Sequence, residues 1–311
     1  MRAVCQNPGM TQREQFAPTG ALRAFGYRVL WGWANIFFRA ANACLYVAAG
    51  LLRQDDLRAA SRLRWRDFGL SEDYFDTGLE LWERRLYSDF LRPSDRVLLV
   101  GCGTGRDLMG LLELGYNVTG LEQAPELVEL ARTHLVRRGM RATVLTGDVE
   151  RVDFGTRYDA VIFSPGVYSC LNQSTSRVAT LERLKSCLSD GGRILVSYYG
   201  FVSRSRMSEG LTQISAWLNR ADWYPEPGDN FSRDETVGRV LRYEHLFRAG
   251  EVAAECAAAQ LRVIWDEAVW APFHCAVAVP AIDAPGSSSD SAARSASRTS
   301  QTVERYEKSR G

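Results

Sequence analysis

The stretch Val97-Leu-Leu-Val-Gly-Cys-Gly-Thr-Gly105-Arg-Asp107 constrains this chain more than any other part of it. Apolar residues run straight into three glycines at alternate positions, and a helix-forming segment starts directly behind them. A strand that turns this sharply into a helix needs backbone angles that side chains resist, and it leaves bare peptide for a ligand to lie against. The helix N-terminus aims unpaired N–H groups and partial positive charge at the same place. Asp107 is expected to cap that helix. The spacing also excludes a common alternative. A dinucleotide turn, G-x-G-x-x-G started at Gly101, requires glycine at position 106, where this chain has Arg106.

Around the turn, short apolar runs alternate with segments of helix length. The runs are Arg96–Val100, Asn117–Leu121, Ala142–Leu145, Ala160–Phe163, Arg193–Ser197, Leu261–Trp265 and Cys275–Val279. Continuous rather than alternating apolarity means strands covered on both faces, hence a mainly parallel sheet. The link Asp266–His274 has no room for a crossover helix, so the last two strands form a hairpin and the final one runs antiparallel. The expected fold is a doubly wound, seven-stranded α/β domain over residues 95–282. Within it, residues 200–240 form an insertion rich in Trp, Tyr, Pro and Asp, of a length that usually makes a functional cover.

The flanks differ from this core. Residues 1–20 are polar and mixed, and residues 283–311 are rich in Ser, Ala and Arg; both are expected to be disordered. Residues 21–94 are expected to add helices before the sheet. Their apolar run 29–52 carries Arg39 near its middle, a costly place for a charge inside a bilayer. A lid on the catalytic domain, a basic helix lying on a membrane through residues 21–66, and a true span all remain open for it. Residues 1–66 hold ten arginines and three acids, whereas the whole chain is +1. That near-neutral total argues against a nucleic-acid partner. Seven scattered cysteines without a C-x-x-C pair, and only three histidines, make a structural metal or disulfide framework unexpected and point to the cytoplasm.

Several motifs in register resemble the class I S-adenosylmethionine-dependent methyltransferases, whose fold is Rossmann-like. Gly101, Cys102, Gly103 and Gly105 are similar to the family's first motif, which cradles the methionine and ribose of the cofactor, and the resemblance sets Asp107 and Ser164 among the cofactor-binding residues as well. Glu122, at the end of the second strand, stands where the family's acidic residue binds the ribose hydroxyls, an apt task for a carboxylate facing a vicinal diol. The resemblance places Gln123 beside the adenine edge, and Asp148 and Val149 in the adenine-contacting motif. Tyr158–Phe163 resembles the fourth strand, and Leu188–Ser197 the fifth with its double-glycine turn. The segment Ser164-Pro165-Gly166-Val-Tyr168-Ser169 then lines the site. One departure stands out: Leu99 occupies the position where most members hold the cofactor's amino group with an acidic residue.

The resemblance implies methyl transfer with S-adenosylmethionine as cofactor. Such transfer needs little beyond alignment of nucleophile, carbon and sulfur, so no catalytic residue is assigned. Ser164 begins a segment that lacks the Asn/Asp-Pro-Pro-aromatic motif of amino-methylating relatives, which points to a small-molecule acceptor. Tyr168, Tyr198, Tyr199 and His245 are candidate acceptor contacts. Trp82 and Tyr74 are candidates to close over the cofactor, and Trp217, Trp223 and Tyr224 to form an aromatic wall; core packing competes for each. A non-catalytic relative of the fold and a nicotinamide oxidoreductase stay as alternatives, the second opposed by Arg106 and the closing hairpin.

Overall fold

The computed structural model describes residues 19–70, 78–201, 206–233 and 240–281. Tyr74 and nearly all of both end segments expected to be disordered lie outside the described residues. Three helices come first: α1 (Ala21–Ala49), α2 (Gln54–Gly69) and α3 (Leu81–Phe90). Alternating units follow: β1 (Arg96–Val100), α4 (Arg106–Glu113), β2 (Asn117–Glu122), α5 (Pro125–Arg137), β3 (Thr143–Thr146), β4 (Tyr158–Phe163), α6 (Ser174–Ser186) and β5 (Leu188–Gly200). The last part comprises α7 (Arg206–Leu218), β6 (Asp229–Arg233), β7 (Leu241–Phe247), α8 (Glu251–Ala258), β8 (Leu261–Trp270) and β9 (Phe273–Pro280).

The seven expected strands are all present, and they run in the order β3-β2-β1-β4-β5-β9-β8. The first five are parallel, β9 pairs antiparallel with β5 from Ile194 to Tyr199, and β8 pairs antiparallel with β9. Alternate side chains serve opposite faces of the sheet. Leu98, Val100, Val161 and Phe163 pack beneath α6 and α8 with Leu181, Leu184 and Cys256. Val97, Leu99, Ala160 and Ile162 pack under α3, α4 and α5 with Leu86, Leu108, Leu111 and Val128. Burial on both faces accounts for the unbroken apolarity of these strands.

Two expectations need correction. The described part of the insertion is not a loop: it holds α7 and β6, and β6 pairs with β7 just beyond it, which joins the end of β5 in parallel at Tyr199–Leu246 and Gly200–Phe247. Among the described residues the sheet therefore has nine strands. Nor does Asp107 cap α4. The cap position belongs to Gly105 in a left-handed conformation (φ 98°), which glycine alone adopts without strain, and Asp107 is the second helical residue, buried.

The N-terminal helices divide in role. A third apolar cluster joins Tyr46 of α1 and Leu57 of α2 to Trp223 and Phe231 of the inserted segment and to Tyr243 of β7. Trp223 donates its indole N–H to the Leu52 carbonyl at 2.8 Å. These contacts hold α2 over the carboxyl ends of the parallel strands, while residues 27–41 of α1 are exposed throughout. No helix among the described residues is long and apolar enough to cross a membrane.

Candidate functional site

A cavity opens at the carboxyl ends of β1, β2 and β4, where such sheets bind ligands. Its floor is the glycine turn. A side chain at Gly101 (φ 75°) would lie 2.5 Å from Val167, whereas Gly103 (φ 53°) faces open space, so bare peptide forms this wall. The turn is locked from β2: Gly101 and Cys102 donate their N–H groups to the Leu121 carbonyl at 2.8 and 3.1 Å. The Cys102 thiol is pushed well above its ordinary pKa by burial and packs against Gly120, so it acts as a small core residue.

Glu122 accepts the Gly103 N–H with one oxygen and the Ala124 N–H with the other, both at 3.0 Å. Burial raises its pKa above the ordinary value, and these backbone donors pull it partly back. A carboxylate oxygen has two acceptor sites, so both oxygens keep capacity for a ligand hydroxyl. Gln123 and Val149 line the same wall, and Asp148 accepts the Glu150 N–H at 2.9 Å beside them. Ser164 completes it from the end of β4.

Among the buried polar atoms of the cavity lining, Asp107 Oδ1 and Ser164 Oγ make no hydrogen bond. Arg106 Nε lies 3.0 Å from Asp107 Oδ1 without the alignment of a hydrogen bond. Leu99, in contrast, is wholly buried in the core and points nothing polar at the cavity. Arg106 is more than a missing glycine. Its guanidinium grips Glu83 of α3 at 2.7 and 2.8 Å and the Gly78 carbonyl, tying α3 to the start of α4. Burial raises the Glu83 carboxyl, the nearby Asp107 charge adds to that, and Arg106 opposes it.

The roof comes from α2, through Arg58, Ser61, Trp65 and Phe68. Arg58 bonds both oxygens of Glu150 at 3.0 and 2.9 Å, and Trp65 donates to the Cys170 sulfur at 3.1 Å. Burial pushes the Cys170 thiol up to about 11, which keeps it neutral. These roof residues carry no motif; only the location of α2 reveals them.

The acceptor candidates fall elsewhere. Tyr168 is buried completely and donates to Glu255 at 2.6 Å. Tyr198 donates to Asp266 at 2.6 Å and stacks on His274. His245 is buried between Asp229 and Glu251, 2.8 Å from each; burial opposes its charged form, but the two carboxylates outweigh that and raise its pKa. None of the three lines the cavity, because their polar atoms are already matched inside the core. Tyr199 touches the edge of the site, its hydroxyl beside Gly166. Trp82 stacks on Phe273 away from the cavity lining, Trp217 and Tyr224 are exposed, and Trp223 is core, so no aromatic wall forms. Among the described residues, Glu226, Asp229 and His245 bring potential metal-ligand atoms within 4.8 Å. Both ring nitrogens of His245 are taken by carboxylates, which accounts for the grouping as an ion-pair network.

An open α/β sheet with a glycine turn, carboxylates at the tips of β2 and β3 and an antiparallel last strand defines a Rossmann-like methyltransferase fold. Residues 97–192 match the family model described as a methyltransferase domain. Over that stretch the α/β core is similar to the S-adenosylmethionine-dependent methyltransferases. It is 30% identical over 102 residues to a ubiquinone biosynthesis O-methyltransferase from Xanthomonas euvesicatoria, covering 33% of this chain and 42% of that protein. It is 33% identical over 88 residues to a mitochondrial ribosomal RNA small subunit methyltransferase from Arabidopsis thaliana, covering 28% and 23%. The matched region spans less than half the length of either relative. Among solved structures, a methyltransferase from Methanosarcina mazei superposes with a TM-score of 0.54 at 16% identity, over 66% of this chain and all of that one. The ribosomal RNA relative leaves the expectation of no nucleic-acid partner without support.

Proposed function

We propose that this chain binds S-adenosylmethionine under α2 and transfers its methyl group to a small-molecule acceptor. We divide it into a helical segment, 21–94, and a methyltransferase domain, 95–282, interrupted by the inserted segment 200–240. The observation that carries the reading is Ser164 Oγ, buried without a hydrogen bond, beside Asp107 Oδ1, which makes no hydrogen bond but faces the Arg106 guanidinium at 3.0 Å, in a cavity whose glycine turn is tied to Glu122. Unpaired polar atoms are costly in a protein interior unless a ligand completes them.

The residues fit the cofactor as follows. Glu122 takes the ribose hydroxyls, Gln123, Asp148 and Val149 the adenine, and the peptide of Gly101, Cys102, Gly103 and Gly105 the methionine portion. Asp107 holds the ammonium group that Leu99 cannot. When bound, the sulfonium supplies an electrophilic methyl carbon and leaves as a neutral thioether. The chain contributes alignment and exclusion of water, with Trp65 and Phe68 closing the roof; oriented binding of this kind supplies much of the needed barrier reduction. The O-methyltransferase relatives support an oxygen nucleophile on the acceptor.

Titration calorimetry with S-adenosylmethionine and with NAD tests the reading. Binding of the first on the order of 10 μM, and none of the second, is expected. The Asp107→Asn variant should bind at least roughly tenfold more weakly with its melting temperature nearly unchanged, since a charge-assisted contact is lost. Binding of neither ligand would return the chain to a non-catalytic member of the fold.

A further inference from the structure

The outer half of α1 is the least expected surface on the molecule. Trp31, Trp33, Phe37 and Phe38 are each more than half exposed, and Leu30 is 71% exposed. Monomers rarely show contiguous apolar patches of this kind without a use for them. The polar residues are not scattered. Arg28, Asn35, Arg39 and Asn42 follow one another at intervals of seven, four and three, which places them on one narrow stripe of the helix. Between Tyr27 and Ala41 everything around that stripe is apolar or small, and Arg23, one turn nearer the N-terminus, is the charge that falls outside it.

We propose that this half of α1 lies in the surface of a bilayer containing anionic phospholipids, with the Arg28–Asn42 stripe turned to water. The width of the apolar arc decides against a second copy of the chain. A partner helix covers a stripe of about 100°, which would leave aromatic rings on both flanks in water. A lipid surface covers the whole arc. Charge selects the lipid: between Glu14 and Asp55 there is no acidic residue, and there are four arginines, at 23, 28, 39 and 53. Arginines of this sort keep their heads among phosphates while their stems stay apolar, and Trp and Tyr settle at the same depth. At 29 residues the helix has the length of a span but not the apolarity, and no described helix combines the two.

The helix is also anchored at its base. Thr212 and Ser215 of α7 donate to the carbonyls of Tyr46 and Val47 at 3.0 and 2.7 Å, and Asn219 donates to Leu51. Leu51, Trp217 and Leu218 are exposed at this same base and extend the apolar surface. From there the chain passes directly into α2, the roof of the cavity. Docking would therefore bring the roof to the lipid surface.

The test uses the full chain and extruded vesicles of phosphatidylcholine, with and without one-third phosphatidylglycerol, followed by co-sedimentation and tryptophan emission. Retention on the anionic vesicles with a blue shift is expected, several-fold lower on neutral ones. Phe37→Ser/Phe38→Ser, both exposed and remote from the cavity, should reduce retention at least tenfold, and Arg28→Gln/Arg39→Gln should remove the preference for anionic lipid. Light scattering on the same samples reads the rival occupant. Equal retention by the Phe37→Ser/Phe38→Ser variant, no retention on any vesicle, or a dimer that this variant dissociates would each overturn the proposal. Calorimetry with S-adenosylmethionine on the same variants keeps this outcome separate from that of the methyl-transfer reading.

Discussion

Two polar regions of this protein contrast with one another. Behind the sheet, Arg177 is wholly buried and bonds Glu255, Glu226 and the Leu171 carbonyl, while Tyr168 and His245 share the same network of carboxylates. Every charge there meets an opposite one. In the cavity, Asp107 and Ser164 each leave a buried oxygen without a hydrogen bond. Polar residues closed upon each other hold the fold together; those left open are completed by something from outside. That distinction, rather than residue type, separates Tyr168, Tyr198 and His245, whose polar atoms are matched in the core, from the carboxylates that line the cavity.

The strongest way to break the contrast is Arg177→Met. Removing one partner of a buried pair strands the other charges, so a loss of about 3–5 kcal/mol in stability is expected by denaturant melting. Cofactor affinity should persist in whatever fraction stays folded. A stable variant would show that the network is not structural.

Glu122→Gln probes the open region. It should weaken S-adenosylmethionine binding roughly ten- to a hundredfold, the value of hydrogen bonds to a charged acceptor. Because burial raises the Glu122 pKa above 4.5, affinity in the wild type should already fall on acidification at a pH above that value, and the variant should lose this dependence. The stability of the unliganded fold carries the opposite sign. A carboxyl raised on folding contributes most when protonated, and that contribution declines as pH rises through the folded pKa. A wild-type affinity flat down to pH 4.5 would sink the assignment.

The smallest effect belongs to Tyr198→Phe. Only the bond to Asp266 goes, so about 1 kcal/mol of stability should be lost, with cofactor binding and methyl transfer unchanged. A large fall in transfer rate would restore Tyr198 as an acceptor contact and blur the line between the two regions.

Much of this molecule could be read in one dimension. The seven core strands, the glycine turn and the hairpin of β8 and β9 follow from local apolarity and turn chemistry, which act over a few residues. Glu122, Asp148 and Ser164 are legible as candidates because each lies at or within two residues of a strand's carboxyl end, and strand ends meet at one edge of a parallel sheet. The β6–β7 hairpin escaped notice because β7 is stabilised by distant partners: Tyr243 and Leu246 pair with Phe231 and β5. The capping role expected of Asp107 failed because Gly105 already takes that position, leaving the carboxylate inside the first turn.

From the sequence alone came the doubly wound sheet, the glycine turn and the residues at the strand tips, since all of these depend on neighbours along the chain. Only the tertiary structure decided which polar groups are satisfied, that α2 roofs the cavity, and that half of α1 stands exposed. Such facts depend on contacts between segments far apart in the chain, as between Arg58 and Glu150 or Arg177 and Glu255, and no local pattern records them.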